Sequence, residues 1–303
     1  MQLITESQVA QTLTQPAAAL AALRQAFVQL GRGEAAVLAR GRAAATHEGA
    51  ALMVSAMGAV LAGSGVLGTK VYSTRNGQFQ FVITLFDSAT GAPLATLEAN
   101  ELTRVRTSLT TALAVDALAA PDAKVLAIFG AGTQARAHAE AIRPLRAFER
   151  VLVCARNGAA AAEFAAQIGG AEVVDAATAA RTADVIVTAT RASEPLFDGA
   201  LVKPGAFVAA VGSSKPVARE LDDALLARAA AIVVEWLPAA QAEAGELVRA
   251  APGVIAPERL KELGSLLLAP PARDPQAITV YKSVGIGLED VALADLVYRS
   301  LQA

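Results

Sequence analysis

The sequence predicts an α/β fold, in which a doubly wound parallel sheet is joined to a second, α+β domain. Two observations predict it. From residue 124 onward, short apolar segments alternate with helical segments, which is typical of a parallel sheet with helices on both faces. Residues 37–98, by contrast, form short β-rich runs separated by turn signals. The chain has 303 residues, which is enough for two domains.

The N-terminal part begins with a predicted helix over residues 6–31, where apolar residues recur at helical spacing and Gly31 ends the pattern. Apolar and polar residues then alternate over 79–85, which predicts a half-buried strand, and Asn76-Gly77 predicts a hairpin turn before it. A second helix is predicted over residues 101–119.

The central part contains six predicted strands, with the sequences KVLAIFG, RVLVCAR, AEVVD, DVIVTAT, AFVAAVG and AIVVEW. The predicted helices between them cover residues 133–146, 158–168, 176–183 and 219–229. Helical pieces (AAQAEAGELVRA and PERLKELGSLL), a strand (AITVYKSVG) and a closing helix over 289–302 complete the chain. We place the first domain at residues 1–120, the parallel-sheet domain at 121–280, and at 281–303 a C-terminal segment that returns to the first domain.

The segment VLAIFGAGTQARAHAEAI, residues 125–142, carries a glycine motif between a predicted strand and a predicted helix. Gly130, Gly132 and Ala135 fit G-x-G-x-x-G/A, which allows a tight turn, close approach of a pyrophosphate and close helix packing. Because βαβ units follow it, the motif predicts a Rossmann-type dinucleotide-binding domain. The residues expected to bind the cofactor are Gly130, Ala131, Gly132, Thr133, Gln134, Arg156, Asn157, Thr190, Val211 and Ser283.

The end of the second central strand bears on the choice of cofactor. NAD sites usually carry an acid there for the ribose hydroxyls, whereas this strand ends in Cys154, Ala155 and Arg156. Arg156 can pair with a 2′-phosphate. We therefore favour NADP(H), with NAD(H) as the alternative, in which Arg156 stacks on the adenine or faces solvent.

Several cations in the N-terminal part are candidates for binding an anionic substrate. Lys70 lies in an otherwise apolar predicted strand, where a lysine either reaches solvent or meets a charge. Arg40 and Arg42 flank a glycine. Arg106 lies near the start of a predicted helix, where a cation opposes the helix dipole, and this favours an anionic ligand close by.

Composition narrows the function classes. A net charge of −2 gives no electrostatic argument for nucleic acid or an anionic membrane, and no apolar segment is long enough to span a bilayer. Cys154 is the one cysteine and no secretory signal precedes the first helix, so we expect the cytoplasm. One Cys and two His are too few for a zinc cluster. We expect His138 to be a partly exposed helix residue; His47 lies in a polar turn near the candidate cations.

Blocks spread over nearly the whole chain resemble the ornithine cyclodeaminase/mu-crystallin family: GTKVYS, ELTRVRTSLTTALA, IFGAGTQA, VTATRASEPLF, FVAAVGSSKP, RELDDALL, QAEAGEL, ELGSLL and ITVYKSVGIGLED. The resemblance implies a two-domain homodimer. Its N-terminal domain, completed by the C-terminal helix, binds substrate and dimerises, and its central domain binds NAD or NADP. In the family an Arg, a Lys and an Arg clamp a substrate carboxylate; they match Arg42, Lys70 and Arg106 here, with Arg40 competing for the first place.

One departure from the family pattern bears on the reaction. Cyclodeaminases carry an Asp in the loop after the strand that here reads FVAAVG, and Ser214 occupies that place. Ornithine cyclodeamination needs a group that shuttles protons near neutral pH, and a Ser hydroxyl cannot serve as a carboxylate base. Reduction of a protonated imine demands less, and there Ser214 would hydrogen-bond the ring nitrogen or a nearby water.

The glycine motif, the candidate cations and the family resemblance together favour an oxidoreductase that reduces a cyclic imino acid, Δ1-pyrroline-2-carboxylate or Δ1-piperideine-2-carboxylate, to L-proline or L-pipecolate. The predicted catalytic residues are Lys70, Arg106 and Ser214, and the predicted substrate-binding residues are Arg42, Lys70 and Arg106. Three alternatives stay open: ornithine cyclodeaminase, an amino-acid dehydrogenase or N-alkyl amino-acid synthase of the same family, and an NADPH-binding protein without catalysis.

Overall fold

A computed structural model describes residues 1–302 and divides the chain into two compact units. The first unit comprises residues 1–110 together with the C-terminal segment from Gly285 on, and the second comprises residues 111–284. The sequence-based boundaries lie at 120 and 280, whereas the first division observed falls inside a helix over Asn100–Leu118.

The first 120 residues contain six strands and three helices. The strands are β1 (Gln2–Ile4), β2 (Ala35–His47), β3 (Ala50–Leu61), β4 (Val66–Arg75), β5 (Gln78–Asp87) and β6 (Pro93–Glu98). The helices are α1 (Glu6–Thr12), α2 (Pro16–Gly31) and α3 (Asn100–Leu118), and a 3-10 turn covers Ala62–Ser64.

The rest of the described chain alternates strands and helices. Its strands are β7 (Val125–Phe129), β8 (Arg150–Cys154), β9 (Ala171–Val173), β10 (Val185–Thr188), β11 (Phe207–Ala210), β12 (Ala229–Val234), β13 (Leu260–Glu262) and β14 (Ile278–Lys282). Its helices are α4 (Thr133–Ile142), α5 (Gly158–Ile168), α6 (Ala176–Thr182), α7 (Asp223–Arg228), α8 (Leu237–Glu243), α9 (Gly245–Val248), α10 (Leu263–Leu268) and α11 (Gly287–Ser300). Further 3-10 turns cover Arg143–Leu145, Gly199–Leu201 and Pro257–Arg259.

The first unit is built on a sheet with the order β1-β6-β5-β4-β3-β2, antiparallel except for the β1–β6 pair. Helix α11 packs on one face of this sheet, against β3, β4 and β5. Lys70, Ile83 and Leu85 share that face by register and are buried. The alternation predicted over 79–85 is therefore observed in the second half of that range, where Ile83 and Leu85 are buried. Phe79, near the hairpin, is 44% exposed. This face brings the C-terminal helix next to Lys70.

The opposite face of the same sheet carries exposed apolar side chains. In the strand register, Leu38 pairs with Gly58, and Val71 pairs with Ala56 on one side and with Val82 on the other. All of these residues lie on the face away from Lys70. The large apolar residues exposed on this face are Leu38, Val54, Val60, Val71 and Val82. Several exposed apolar side chains on one face of a sheet are typical of an interaction surface.

The second unit is a sheet of eight parallel strands in the order β13-β12-β14-β11-β10-β7-β8-β9. Strand order reverses between β7 and β10, because β8 and β9 extend one way and β10 and β11 the other. Ligands of such sheets bind at this switch point, outside the carboxyl ends of the strands. The parallel sheet confirms the predicted fold class.

Two predicted elements differ in the structure for local reasons. The helix expected over 6–31 is two helices, because Pro16 lacks a backbone N–H, disfavours helical backbone at the residue before it, and instead opens α2. The helix expected over 219–229 begins only at Asp223, since the Asp222 side chain caps it by accepting from the Leu225 N–H.

The predicted helix PERLKELGSLL is wrong over its middle part. Leu260–Glu262 form β13, which pairs in parallel with β12, and only Leu263–Leu268 are helical beyond it. The piece AAQAEAGELVRA is likewise divided into α8 and α9 at Ala244. Among residues 1–302, none of the helices combines the length and the apolarity needed to cross a bilayer.

Candidate active site

The second unit contains a cavity of about 990 Å³ at the carboxyl ends of β7, β8 and β10. The predicted cofactor-binding residues that line it are Gly130, Ala131, Gly132, Thr133, Gln134, Arg156, Asn157, Thr190 and Val211. Its position coincides with the switch point of the sheet, where doubly wound folds bind dinucleotides.

The two glycines of the motif differ in what surrounds them. Gly130 has a φ of +114°, and a Cβ there would lie 2.6 Å from the Ala189 carbonyl oxygen, so only glycine fits the turn. Gly132 has no atom within 4 Å of a built Cβ. The space beside Gly132 is therefore open to a ligand, as the close approach of a pyrophosphate requires.

Helix α4 begins directly after Gly132 and points its free N–H groups toward this space. Gln134, in its first turn, has a buried Oε1 for which no donor within residues 1–302 is in reach. A buried acceptor of this kind is satisfied by water or by a ligand. The glycine cradle, the helix terminus and this side chain together fit a dinucleotide.

The far end of the cavity holds charges of both signs. Arg156 and Asn157 follow β8, and the Asn157 side chain caps α5 by accepting from the Ala160 N–H at 3.1 Å. Asp175, which is not among the residues predicted from the sequence, lines the same cavity and caps α6. Hydrogen bonds from Thr178 lower the pKa of Asp175, so this carboxylate stays ionised. Burial raises the pKa of the Cys154 thiol, and the negative charge of Asp175 raises it further.

Two serines that were predicted as site residues, Ser283 and Ser214, are not among the residues that line this cavity. Ser283 is buried and its hydroxyl donates to Glu235. Ser214 lies in the loop after β11, two residues beyond the cavity-lining Gly212.

The first unit gathers Lys70 and Arg106 around two acids of α11. Lys70 Nζ lies 2.7 Å from Asp290 Oδ1, and Arg106 lies 2.6 Å from Glu289 Oε2 and 3.1 Å from Asp290 Oδ1. All four side chains are buried. Charges at this depth persist only when they are paired, and α11 supplies the pairing.

Burial lowers the pKa of Lys70 to about 8. Asp290 acts in the opposite direction, because its negative charge and hydrogen bond favour the ammonium form, and the neighbouring Arg106 and Arg40 again lower the pKa. The Lys70 ammonium also lies 5.3 Å from the centre of the Phe81 ring. Lys70 therefore gains or loses its proton within the range of ordinary assays.

Of the two arginines competing for the third clamp position, Arg40 is near Lys70. Its guanidinium donates to the Gly285 carbonyl at 2.8 Å and to the Met57 sulfur at 3.4 Å. Arg42 is exposed and lies opposite Ser55 in the β2–β3 register. His47 ends β2 at the exposed hairpin turn.

Arg106 and His138 have surroundings that differ from those predicted from the sequence. Arg106 lies in the second turn of α3, beyond the part of the helix where the dipole acts, and the acids of α11 are its partners. His138 is fully buried rather than partly exposed: it contacts the Gln134 carbonyl at 2.7 Å and the Thr111 hydroxyl at 3.0 Å. Within residues 1–302 no cluster of His, Cys, Asp and Glu is placed to hold a metal.

A family model matches residues 2–303. The chain belongs to the ornithine cyclodeaminase/mu-crystallin family. Mouse ketimine reductase mu-crystallin is 37% identical over 226 residues, which cover 73% of this chain and 69% of the relative. A Δ1-pyrroline-2-carboxylate reductase from Bacillus cereus is 37% identical over 228 residues, 72% of this chain and 70% of that enzyme. The family predicted from the sequence is confirmed.

Solved structures of this family share the fold over the whole chain. A probable ornithine cyclodeaminase from Bordetella pertussis has a TM-score of 0.93 at 44% identity, covering 99% of this chain and 97% of that one. The Thermococcus litoralis Δ1-pyrroline-2-carboxylate reductase in complex with NADH and L-proline has a TM-score of 0.90 at 29% identity, covering 100% and 98%. The predictions of an oxidoreductase and of a nicotinamide cofactor are confirmed at this level.

Proposed function

We propose that this protein uses NAD(P)H to reduce a cyclic imino acid, Δ1-pyrroline-2-carboxylate or Δ1-piperideine-2-carboxylate, to L-proline or L-pipecolate. The observation that carries the proposal is the buried cluster around Lys70 and Arg106. Three cations (Arg40, Lys70 and Arg106) and two acids (Glu289 and Asp290) give these five side chains a net charge of +1. A single substrate carboxylate would neutralise it.

The cluster suits a planar carboxylate. The guanidinium groups of Arg106 and Arg40 offer forked donors, and Lys70 adds a concentrated charge. Glu289 and Asp290 hold Arg106 from the side of α11, so its orientation is fixed before a substrate arrives. Preorganised cations of this kind bind a small anion with little loss of conformational freedom.

The chemistry required of the side chains is modest. A bound reduced dinucleotide supplies the hydride, and the imine carbon is electrophilic once its nitrogen carries a proton. Lys70 holds a proton next to the substrate-binding groups, and its pKa of about 8 keeps it charged at neutral pH. Ser214 would donate to, or accept from, the ring nitrogen or a water bonded to it.

The alternative of ornithine cyclodeamination is disfavoured by the same residue. That reaction must move protons on and off an amine that leaves as ammonia, and the family places an Asp where this chain has Ser214. Imine reduction needs no carboxylate base at that position.

For the cofactor we propose a preference for NADPH over NADH. Arg156 lines the cavity after β8, and the end of this strand itself carries no acid that would oppose a 2′-phosphate. Asp175 in the same cavity acts against that phosphate, so we expect a moderate preference. A reducing compartment such as the cytoplasm is part of the proposal, since Cys154 is the chain's one cysteine.

We also propose that the protein is a homodimer. The exposed apolar face formed by Leu38, Val54, Val60, Val71 and Val82 supports it, because burial of such a face against a second copy would remove it from water. Sedimentation of the wild type against Val71→Glu tests this: the wild type should sediment as a dimer, and the variant as a monomer.

The reaction is tested by following the nicotinamide absorbance of NADPH with pyrroline-2-carboxylate, piperideine-2-carboxylate, and pyruvate plus methylamine, while ammonia release from L-ornithine is measured in parallel. We expect the cyclic imines to be reduced fastest. Ammonia release faster than imine reduction would identify a cyclodeaminase instead. If a keto acid plus an amine were the best substrate pair, the protein would be an N-alkyl amino-acid synthase. If NADPH bound but no substrate were turned over, the protein would have a non-catalytic role.

The Arg106→Ala variant tests the carboxylate cluster. We expect a KM for the imino acid that is higher by roughly a hundredfold, because a charge-assisted contact to the carboxylate is lost, while the Kd of NADPH changes little. An equal loss of both affinities would contradict the assignment of Arg106.

A further inference from the structure

Glu220 is a fully buried carboxylate that accepts four hydrogen bonds, from the end of β10, from the segment just after it and from the loop after β11. Its Oε1 accepts from the Thr190 N–H at 2.8 Å and from the Thr190 hydroxyl at 2.7 Å. Its Oε2 accepts from the Gly212 N–H and from the Thr188 hydroxyl, each at 2.8 Å. One side chain therefore joins the end of β10 to the loop after β11.

A second buried pair holds the same loop from the other side. The Glu220 N–H donates to Glu246 Oε1 at 2.8 Å, and Glu246 Oε2 lies 3.0 Å from Lys282 Nζ. Lys282 Nζ in turn donates to the Ser213 carbonyl at 2.9 Å. Lys282 is the last residue of β14, which lies between β11 and β12, so the sheet fixes its backbone while Glu246 and the Ser213 carbonyl hold its ammonium group.

This network ends at the wall of the dinucleotide cavity. Thr190 and Gly212 both line the cavity, whereas Glu220, Glu246 and Lys282 do not. A Cβ on Gly212 would lie only 2.5 Å from Glu220 Oε1, so the loop is packed directly on this carboxylate. The blocks RELDD, AGEL and YKSVG, which contribute no cavity-lining residue, thus converge on one structural task.

We propose that Glu220 is a positioning residue for the cofactor, which fixes Thr190 and Gly212 as one preformed wall, and that Glu246 and Lys282 keep the following Ser213–Ser214 segment in place. The proposal rests on the dinucleotide assignment of the proposed function and is independent of which imine is reduced. A wall that is already held in place by a buried carboxylate need not be ordered when the cofactor binds.

The test is the Glu220→Gln variant, which keeps the side-chain shape. Its amide oxygen can still accept from Thr190, but its NH₂ group would face the Gly212 N–H, two donors without an acceptor. We expect the Kd of NADPH, titrated by nicotinamide fluorescence without substrate, to rise about tenfold or more. We also expect faster amide hydrogen exchange at Gly212 and its neighbours, with the amides of Phe207–Ala210 unchanged.

Asp184→Asn is the matched control. Asp184 also joins two strands, by accepting from the Lys124 and Val125 N–H groups at 2.8 Å each, but it does so at the amino end of the sheet. We expect this variant to leave the Kd of NADPH within about twofold. A similar loss of affinity in both variants, or faster exchange throughout the sheet in Glu220→Gln, would overturn the positioning role.

If Glu220→Gln does not fold, the double variant Lys282→Met/Glu246→Gln carries the test, because it releases the Ser213 carbonyl without leaving an unpaired buried charge. Faster exchange confined to residues 212–214 is expected. Exchange there at the wild-type rate would overturn the proposal. Neither the NADPH titration nor the hydrogen-exchange measurement requires turnover, so failure of the imine assay leaves this test intact. A protein that binds no dinucleotide would refute both the proposed function and the role of Glu220.

Discussion

The Asp290 carboxylate lies 2.7 Å from the Lys70 ammonium, and both side chains are buried. The two residues are 220 positions apart in sequence and meet because α11 packs on the face of the first unit's sheet that carries Lys70. Since Asp290 Oδ1 also lies 3.1 Å from Arg106 Nε, one carboxylate contacts two cations of the proposed substrate clamp.

The first prediction concerns alkaline pH. Lys70 has a pKa lowered to about 8 by burial, so its positive charge is present below that pH and is lost as the pH rises through it. We expect kcat/KM for the imine to fall above pH 8. Because the imine itself titrates, the Ki of pyrrole-2-carboxylate, whose ring nitrogen takes up no proton in this range, should rise in parallel. A Ki that stays constant to pH 9.5 would show that Lys70 does not bind the carboxylate.

The second prediction separates the two acids of α11. Asp290 raises the pKa of Lys70, so in Asp290→Asn the alkaline limb of the pH profile, where kcat/KM falls, should move to a pH below 8. Glu289 contacts Arg106 instead, and Glu289→Gln should shift the limb less. Each variant leaves a buried cation with less compensation and should cost about 3 kcal/mol or more of stability, measured by urea unfolding. Equal shifts of the limb would contradict the specific pairing of Asp290 with Lys70.

The sequence predicted those features of the site that depend on residues close to one another along the chain. The glycine motif, the strand before it and the helix after it lie within 125–142, and the cavity forms there. The acids of α11 were overlooked because their partners are distant in sequence, although two acids in an otherwise apolar helix start were a usable signal. Strand β13 was overlooked because Leu-Lys-Glu has no strand pattern of its own and is ordered by β12.

The third prediction concerns the cofactor. Arg156→Ala should lower kcat/KM for NADPH by roughly tenfold to a hundredfold and change that for NADH little, because only NADPH has the 2′-phosphate. Asp175→Asn should raise kcat/KM for NADPH severalfold, since it removes a negative charge while Asn still caps α6. Initial rates at low concentrations of each cofactor measure both effects. A wild type that prefers NADH, with no response to Arg156→Ala, would contradict the proposed preference.

The fourth prediction concerns acid stability. Burial lowers the pKa of His138 to about 4, while the unfolded chain takes up the proton near its ordinary value of 6.5. The unfolded state therefore binds more protons between pH 6.5 and 4, and stability falls as the pH drops through that window, by up to about 1.4 kcal/mol per pH unit. His138→Gln should flatten this slope in urea unfolding curves. His47→Gln, at the exposed hairpin, is the control and should leave the slope unchanged.

The fifth prediction compares the two glycines of the motif. Gly130→Ala forces a Cβ against the Ala189 carbonyl at a φ of +114° and should destabilise the protein by about 2 kcal/mol or more. Gly132 has a φ of −87° and open space around a Cβ, so Gly132→Ala should keep the wild-type Tm. Its methyl group would nevertheless occupy the approach of the pyrophosphate, and the Kd of NADPH should rise about tenfold or more. Thermal unfolding without cofactor and a fluorescence titration separate the two effects. Wild-type NADPH affinity in Gly132→Ala would mean that the pyrophosphate does not approach the chain at this glycine.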